Sequence, residues 1–275
     1  MTENARWSNL TVRIVTSLLI LPPVLALIAL GSPAMLAGAA VVLCGLAGYE
    51  FATMAVDREF AAHRFFISGM CAVTASAVVA SIRSSAAPLA LLISLAPLFF
   101  ALFMFTSKEP TAAFRNGAFS LAGTLYTGGL FGALGLIPFA ADGQGRWWVL
   151  LLVASTVMND TCAYAAGRTL GRHKLHPVLS PNKTWEGSAG GLMGSLAAVL
   201  VVRQLFLPEV SLPAMGGLGL FLGAVSQVGD LMESFIKRSF HVKDAGHILP
   251  GHGGLLDRLD GLILGAPVVL LFTMV

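Results

Sequence analysis

Residues 235–261 read FIKRSFHVKDAGHILPGHGGLLDRLDG and interrupt a chain that is otherwise almost wholly apolar on either side. Lys237, Arg238 and Lys243 are fixed cations of the kind that hold phosphate, and the PGHGG turn can bring backbone N–H groups close to an anion. Asp257 and Asp260 follow at the start of the last apolar run, each a hard oxygen donor of the type Mg2+ prefers. His247 and His252 lack the softer or more numerous partners that zinc requires, which points to hydrogen bonding or loop ordering. Two further sets of polar residues sit inside apolar runs. Ser226, Asp230, Glu233 and Lys237 recur at i, i+4, i+7 and i+11, and Asp160, Tyr164 and Arg168 at i, i+4 and i+8, so each set occupies one helix face. A carboxylate at bilayer depth costs about 2.5–3.5 kcal/mol, so such residues line a polar interior or a site. The plainer alternative is structural ion pairing, Glu233 with Lys237 and Asp160 with Arg168.

A second polar block, SPNKTWEG, spans Ser180 to Gly187. Ser180 and Thr184 can hydrogen-bond phosphate oxygens, Lys183 can neutralise them, and Glu186 can orient Lys183 or a metal-bound water. The block has the ingredients of a phosphate loop without the GxxxxGK[ST] spacing, so it is not a Walker motif. Its structural alternative is a turn shaped by Ser180 and Pro181, with Asn182 and Thr184 capping the helix that follows.

The elements that must position these residues are membrane helices. Of the 275 residues 56% are hydrophobic and 11% charged, with mean hydropathy +0.81, whereas soluble domains carry about 25% charged residues. A window of about 20 apolar residues finds spans near residues 12–31, 33–54, 65–82, 86–106, 118–140, 147–167, 187–206, 213–236 and 259–275. The expectation is an all-α polytopic integral membrane protein with about nine transmembrane helices. It forms one membrane domain over residues 1–275, with mainly hydrophobic helices over 1–140 and a catalytic half over 147–275. With the N-terminus cytoplasmic, all 17 Lys and Arg except Arg83, Arg146 and Arg203 fall on the cytoplasmic side, as the positive-inside rule requires. That orientation puts the polar loops 168–186 and 237–258 in the cytoplasm and the chain in the inner, cytoplasmic membrane. Cys44, Cys71 and Cys162 lie in apolar runs without ligand spacing and read as core thiols, which gives a disulfide framework or a zinc site little support. The net charge of +3 is largely the orientation signal, and no nucleic-acid partner is expected.

The long stretch beginning at Ser234, with Lys-Arg, Lys-Asp, Pro-x-His-Gly-Gly and Asp-Arg-x-Asp in order, resembles the signature of the phosphatidate cytidylyltransferases, also called CDP-diacylglycerol synthases. SPNKTWEG, the Asn-Asp of the sixth span and its AYAAGR run extend the resemblance over the second half of the chain. Residues 1–140 add only hydrophobic helices. The resemblance implies a reaction in which CTP and phosphatidic acid give CDP-diacylglycerol and pyrophosphate, with Mg2+ required, K+ described beside it, and a homodimer as the assembly. It also implies Asp230 and Asp257 as the metal ligands.

On that reading Lys237, Arg238 and Lys243 clamp phosphates, and Asp260 and Glu233 assist the metal site. Asp160, Ser180, Asn182, Lys183, Thr184, Glu186, His252 and Arg258 complete the substrate-binding set. The phosphate monoester nucleophile is substantially ionised at neutral pH, because its second pKa lies near 6, so no general base is needed. A polyprenol or dolichol-type lipid kinase using CTP would attack with an alcohol and would need one. An ion-coupled transporter would use Asp160, Asp230 and Glu233 as a relay, but the internal repeats common in such folds are missing from the sequence.

Overall fold

A computed structural model describes residues 3–82, 86–140, 143–249 and 253–274. Among these the chain forms α1 (Glu3–Leu30), α2 (Pro33–Ala55), α3 (His63–Ala80), α4 (Ala86–Thr106) and α5 (Pro110–Gly123). It continues with α6 (Gly145–Leu170), α7 (Trp185–Phe206), α8 (Leu212–Ser239) and α9 (Leu256–Phe272). Six segments, over α2, α3, residues 110–139, α6, α7 and α8, are long and apolar enough to cross a membrane. The protein is a helical membrane protein, although the expected count of nine spans is not reached among the described residues. α9, for instance, has only 17 residues.

The described residues divide into two compact units, Met1–Gly135 with Val242–Arg258, and Leu136–His241 with Leu259–Val275. In the first, α2 to α4 enclose a core of Phe60, Ile67, Cys71, Leu95, Phe99 and Phe103. Phe60 meets Phe103 edge-on at 5.3 Å, an arrangement the ring quadrupoles favour. Ser32 caps α2 by accepting from the Met35 N–H at 3.2 Å, with Pro33 in the first turn where its missing N–H is harmless.

The fifth span departs from its expected limits of 118–140. Its helix starts at Pro110, gives way after Gly123 to a π-helical stretch at Thr124–Leu130, and continues as 3-10 turns at Phe131–Gly135 and Ile137–Phe139. Close approach explains the irregularity: a Cβ at Gly128 would stand 3.0 Å from the Cys71 Cα and 3.1 Å from the Thr74 Cβ. The glycine-bearing segment packs backbone against α3, and non-α backbone at membrane depth is tolerated where protein covers it.

In the second unit α6, α7 and α8 are joined by buried polar contacts. Ser155 and Ser195 lie 2.7 Å apart and Ser195 donates to the Gly219 carbonyl at 2.6 Å. Gln227 donates to Asn159 Oδ1 at 3.0 Å and to the Ser188 carbonyl at 2.9 Å. Between apolar helices in lipid such bonds, with small residues at the contact, supply the specificity that hydrophobicity cannot.

The chain is helical as expected, and the loop expected over residues 168–186 adds one short hairpin to the helices. β1 (Lys174–His176) and β2 (Ser180–Thr184) pair antiparallel, with Lys174 opposite Thr184 and His176 opposite Ser180. The Leu179 N–H donates to His176 Nδ1 at 3.2 Å across the turn, and the Trp185 N–H donates to the His173 carbonyl at 2.9 Å. α8 runs on to Ser239, so the second loop is shorter at its start than the expected 237–258. The three cysteines are free, with Cys44 and Cys71 buried.

Candidate active site

In the second unit, Asp230 and Glu233 stand one turn apart on α8 and Asp260 lies in the first turns of α9. One oxygen from each can be chosen so that all three lie within 4.8 Å of one another. Glu233 is 1% and Asp260 8% exposed, while the Asp230 side chain is about a third exposed. Small residues make this convergence possible. A Cβ on Gly229 would stand 3.2 Å from the carbonyl carbon of Asp260, and one on Gly261 would stand 2.8 Å from Thr156 Cγ2 and run into the Ser226 hydroxyl.

Three carboxylates so close repel one another, and lysines offset that charge. Lys183, near the end of β2, pairs with Asp230, and Lys237 pairs with Glu233 at 2.8 Å, one helical turn away. The stripe read from the sequence is therefore real: Ser226, Asp230, Glu233 and Lys237 share one face, and the expected alternative pairing of Glu233 with Lys237 is present. Hard, anionic oxygens at this spacing fit a small divalent cation held by carboxylates. The lysines can serve phosphate groups if a metal takes over their carboxylate partners.

The hairpin places the SPNKTWEG residues differently from one another. Ser180 opens β2 and is half-buried, Asn182 is exposed, and Thr184 is buried. Thr184 caps α7, its hydroxyl accepting from the Gly187 N–H at 3.1 Å, the structural role held open for it. Glu186 does not orient Lys183. Its carboxylate accepts from the Arg172 and His173 N–H groups at 3.0 and 3.2 Å and meets His173 Nδ1 at 2.6 Å. The reason is the fold-back of the hairpin, which carries residues 172–173 to the first turn of α7 while Lys183 reaches Asp230. On α6, Arg168 donates to the Tyr164 hydroxyl at 2.9 Å, and Asp160, exposed, accepts from Asn159 at 3.2 Å. Arg238, also in this unit, is exposed at the end of α8.

The first unit holds Lys243, Asp257 and Arg258. Lys243 and Arg258 are exposed. The Asp257 carboxylate accepts from the Ala245 N–H at 3.0 and 3.2 Å and from the Gly254 N–H at 2.8 Å. His252 lies outside the described residues.

Two features escaped the sequence reading. The polar ladder of Asn159, Ser188 and Gln227 carries no spacing signal across three helices. Glu50 did carry one, being the only acidic residue in the apolar run 33–54. It is 2% exposed, and its Oε2 accepts from the Leu256 N–H at 2.7 Å.

A profile of the cytidylyltransferase family matches residues 11–275. A protein of Brucella suis biovar 1 (strain 1330) called phosphatidate cytidylyltransferase is 45% identical over 155 residues, 55% of either chain. Proteins of the same name from Staphylococcus saprophyticus and Staphylococcus aureus (strain COL) are 40% and 39% identical over 157 residues, 57% of this chain and 59% of theirs. The aligned stretch thus spans little more than half the length of these curated relatives.

Proposed function

The chain belongs to the cytidylyltransferase family, and from that premise we propose that it transfers the CMP moiety of CTP to phosphatidic acid, giving CDP-diacylglycerol and pyrophosphate. The observation that carries this reading is the convergence of Asp230, Glu233 and Asp260 with Lys183 and Lys237 as their cationic partners. In the reaction a phosphate oxygen of phosphatidic acid bonds to the α-phosphorus of CTP while the bond from that phosphorus to the oxygen bridging to the β-phosphorus breaks. The electron pair leaves on pyrophosphate. With a nucleophile already ionised, the task is to hold two polyanions in line and to offset charge on the leaving group.

The chain's residues divide that work. Asp230, with Asp260 and Glu233 beside it, would hold Mg2+, and Asp257 would supply a carboxylate as a cation ligand as well. When bound, the metal screens the phosphate oxygens from one another and stabilises the leaving pyrophosphate. K+ beside it belongs to the same proposal. Lys183 binds the CTP phosphates, with Ser180 and Asn182 along the same strand. Lys237, Arg238, Lys243 and Arg258 take the remaining phosphate charge, and His252 and Asp160 complete the substrate-binding set. Thr184 and Glu186 act through the hairpin, holding β2 and thereby Lys183. The reading keeps the chain as one polytopic domain of the cytoplasmic membrane, dimeric, with its N-terminus and loops 168–186 and 237–258 in the cytoplasm.

The test uses purified protein in detergent with phosphatidic acid, Mg2+ and CTP labelled at the α- or γ-phosphorus. Transfer of α-label to lipid with release of pyrophosphate, abolished by EDTA, is the expected result. Transfer of γ-label to an added polyprenol would overturn it in favour of a lipid kinase.

A further inference from the structure

We infer that Glu50 is a positioning residue for the reaction proposed above, acting as the anchor against which Gly246, Gly254 and Leu256 are set. The inference rests on that reading for its kinetic consequence only. Glu50 projects from α2, an otherwise apolar helix, and is 2% exposed. Its Oε2 takes the Leu256 N–H at 2.7 Å, across 206 residues of sequence. Its Oε1 is buried and has no hydrogen-bond partner among the described residues. A buried carboxylate is a poor means of stabilising a helix packing, where an apolar side chain serves better. Shape is the better account of it.

The loop is built to fit this side chain. A Cβ on Gly246 would run into the Glu50 carboxylate, lying 2.8 Å from its Cγ. One on Gly254 would lie 2.8 Å from Glu50 Oε2, 3.0 Å from Asp257 Oδ2 and 2.7 Å from the Gly246 nitrogen. Both glycines are thus required by close approach to a carboxylate. Asp257 also holds Ala245 and Gly254, through their N–H groups. Lys243 and Arg258, the exposed cations, flank the segment so held. A loop freed from Glu50 lets them drift, and misplacement by about 1 Å can lower turnover on the order of 100-fold.

The test compares Glu50→Ala, Glu50→Gln and Gly246→Ala in the full chain, by amide hydrogen exchange and by steady-state kinetics. In Glu50→Ala the peptide covering residues 243–258 should exchange at least about tenfold faster, as expected for losing a hydrogen bond to a charged group. Peptides from α6 and α7 should be unchanged. Turnover should fall roughly ten- to a hundredfold with little change in either KM. Glu50→Gln keeps an acceptor for Leu256 and should stay within about threefold of wild type on both measures. Gly246→Ala should behave like Glu50→Ala, and most of its effect should disappear in the Glu50→Ala background, because the two collide. Unchanged loop exchange in Glu50→Ala, or equal damage from Gln and Ala, overturns the inference. If the wild type transfers no CMP, the proposed reaction fails, while the exchange data and the double mutant still decide on the anchor.

Discussion

Each unit places carboxylates near the end of an apolar helix, and the two satisfy them by opposite means. In the first, Glu50 and Asp257 take backbone N–H groups of a tight loop. In the second, Asp230 and Glu233 take the ammonium groups of Lys183 and Lys237. Backbone donors are fixed once the chain is folded, so a carboxylate bound to them sets a shape. A lysine is a point charge on a flexible stem that can be exchanged for another cation, so a carboxylate bound to it stores charge. An amide in place of the carboxylate keeps shape and loses charge, and it separates the two uses.

The largest effect is therefore expected at Asp230→Asn, with turnover lower by at least about a hundredfold, since loss even of a group supporting a metal ligand costs 10- to 100-fold. Solubilised protein should retain its elution profile and helical content. Asp257→Asn bears directly on the contrast. It should lose turnover to a similar degree, because the proposed metal needs its charge, while the exchange of peptide 243–258 stays as in wild type. Retained turnover in that variant would make Asp257 a loop anchor alone and remove it from the metal set.

Lys183→Met comes next. Removing the cation should raise the KM for CTP roughly tenfold, the equivalent of about 1.4 kcal/mol, with a smaller change in the KM for lipid. An unchanged KM for CTP would end the nucleotide role of the hairpin and leave Lys183 as a counter-charge for Asp230.

How much of this the amino-acid sequence reveals depends on the range over which each signal acts. The α8 stripe was legible because helical spacing is local: Asp230, Glu233 and Lys237 had to share a face. The Lys183–Asp230 pair was not, since it joins residues 47 positions apart through a hairpin whose short strands, only 3 and 5 residues long, lack any apolar alternation. The partners of Glu186 were not legible for the same reason, being set by how the hairpin folds back. The non-α stretch of the fifth span was not legible because apolar windows do not register that glycines, packed close to α3, break the helix. Glu50 stood out only by composition, and its partner at the start of α9, 206 residues later, is a tertiary fact.

A smaller effect is expected at the hairpin's junction with α7. Thr184→Ala removes the cap on the Gly187 N–H and should lower stability by about 1 kcal/mol, read as a lower apparent melting temperature of the solubilised protein. Because Thr184 only holds the strand that bears Lys183, turnover per folded molecule should change less than in Lys183→Met. The reverse order would mean that the hydroxyl itself touches substrate.

The smallest effect concerns Asp57, which combines a neutral side-chain amide and a cation as partners within the first unit. Its Oδ2 accepts from Asn116 at 2.8 Å and pairs with Arg115, and its own N–H donates to Asn116 Oδ1 at 3.0 Å. Hydrogen bonding from Asn116, then Arg115, holds its carboxyl below the ordinary value. A carboxyl lowered by folding stabilises the native state above its unfolded pKa, near 3.9, and loses that contribution as pH falls through the lower folded value. With the Asp57 side chain 39% and that of Arg115 50% exposed, solvent screening keeps the stabilisation to a few tenths of a kcal/mol, at most about 1. Wild type should therefore melt slightly above Asp57→Asn at pH 7, and the gap should close below about pH 4. A gap that persisted in acid would show that Asp57 resembles Glu50, acting by geometry through its neutral amide partner, with the Arg115 charge irrelevant.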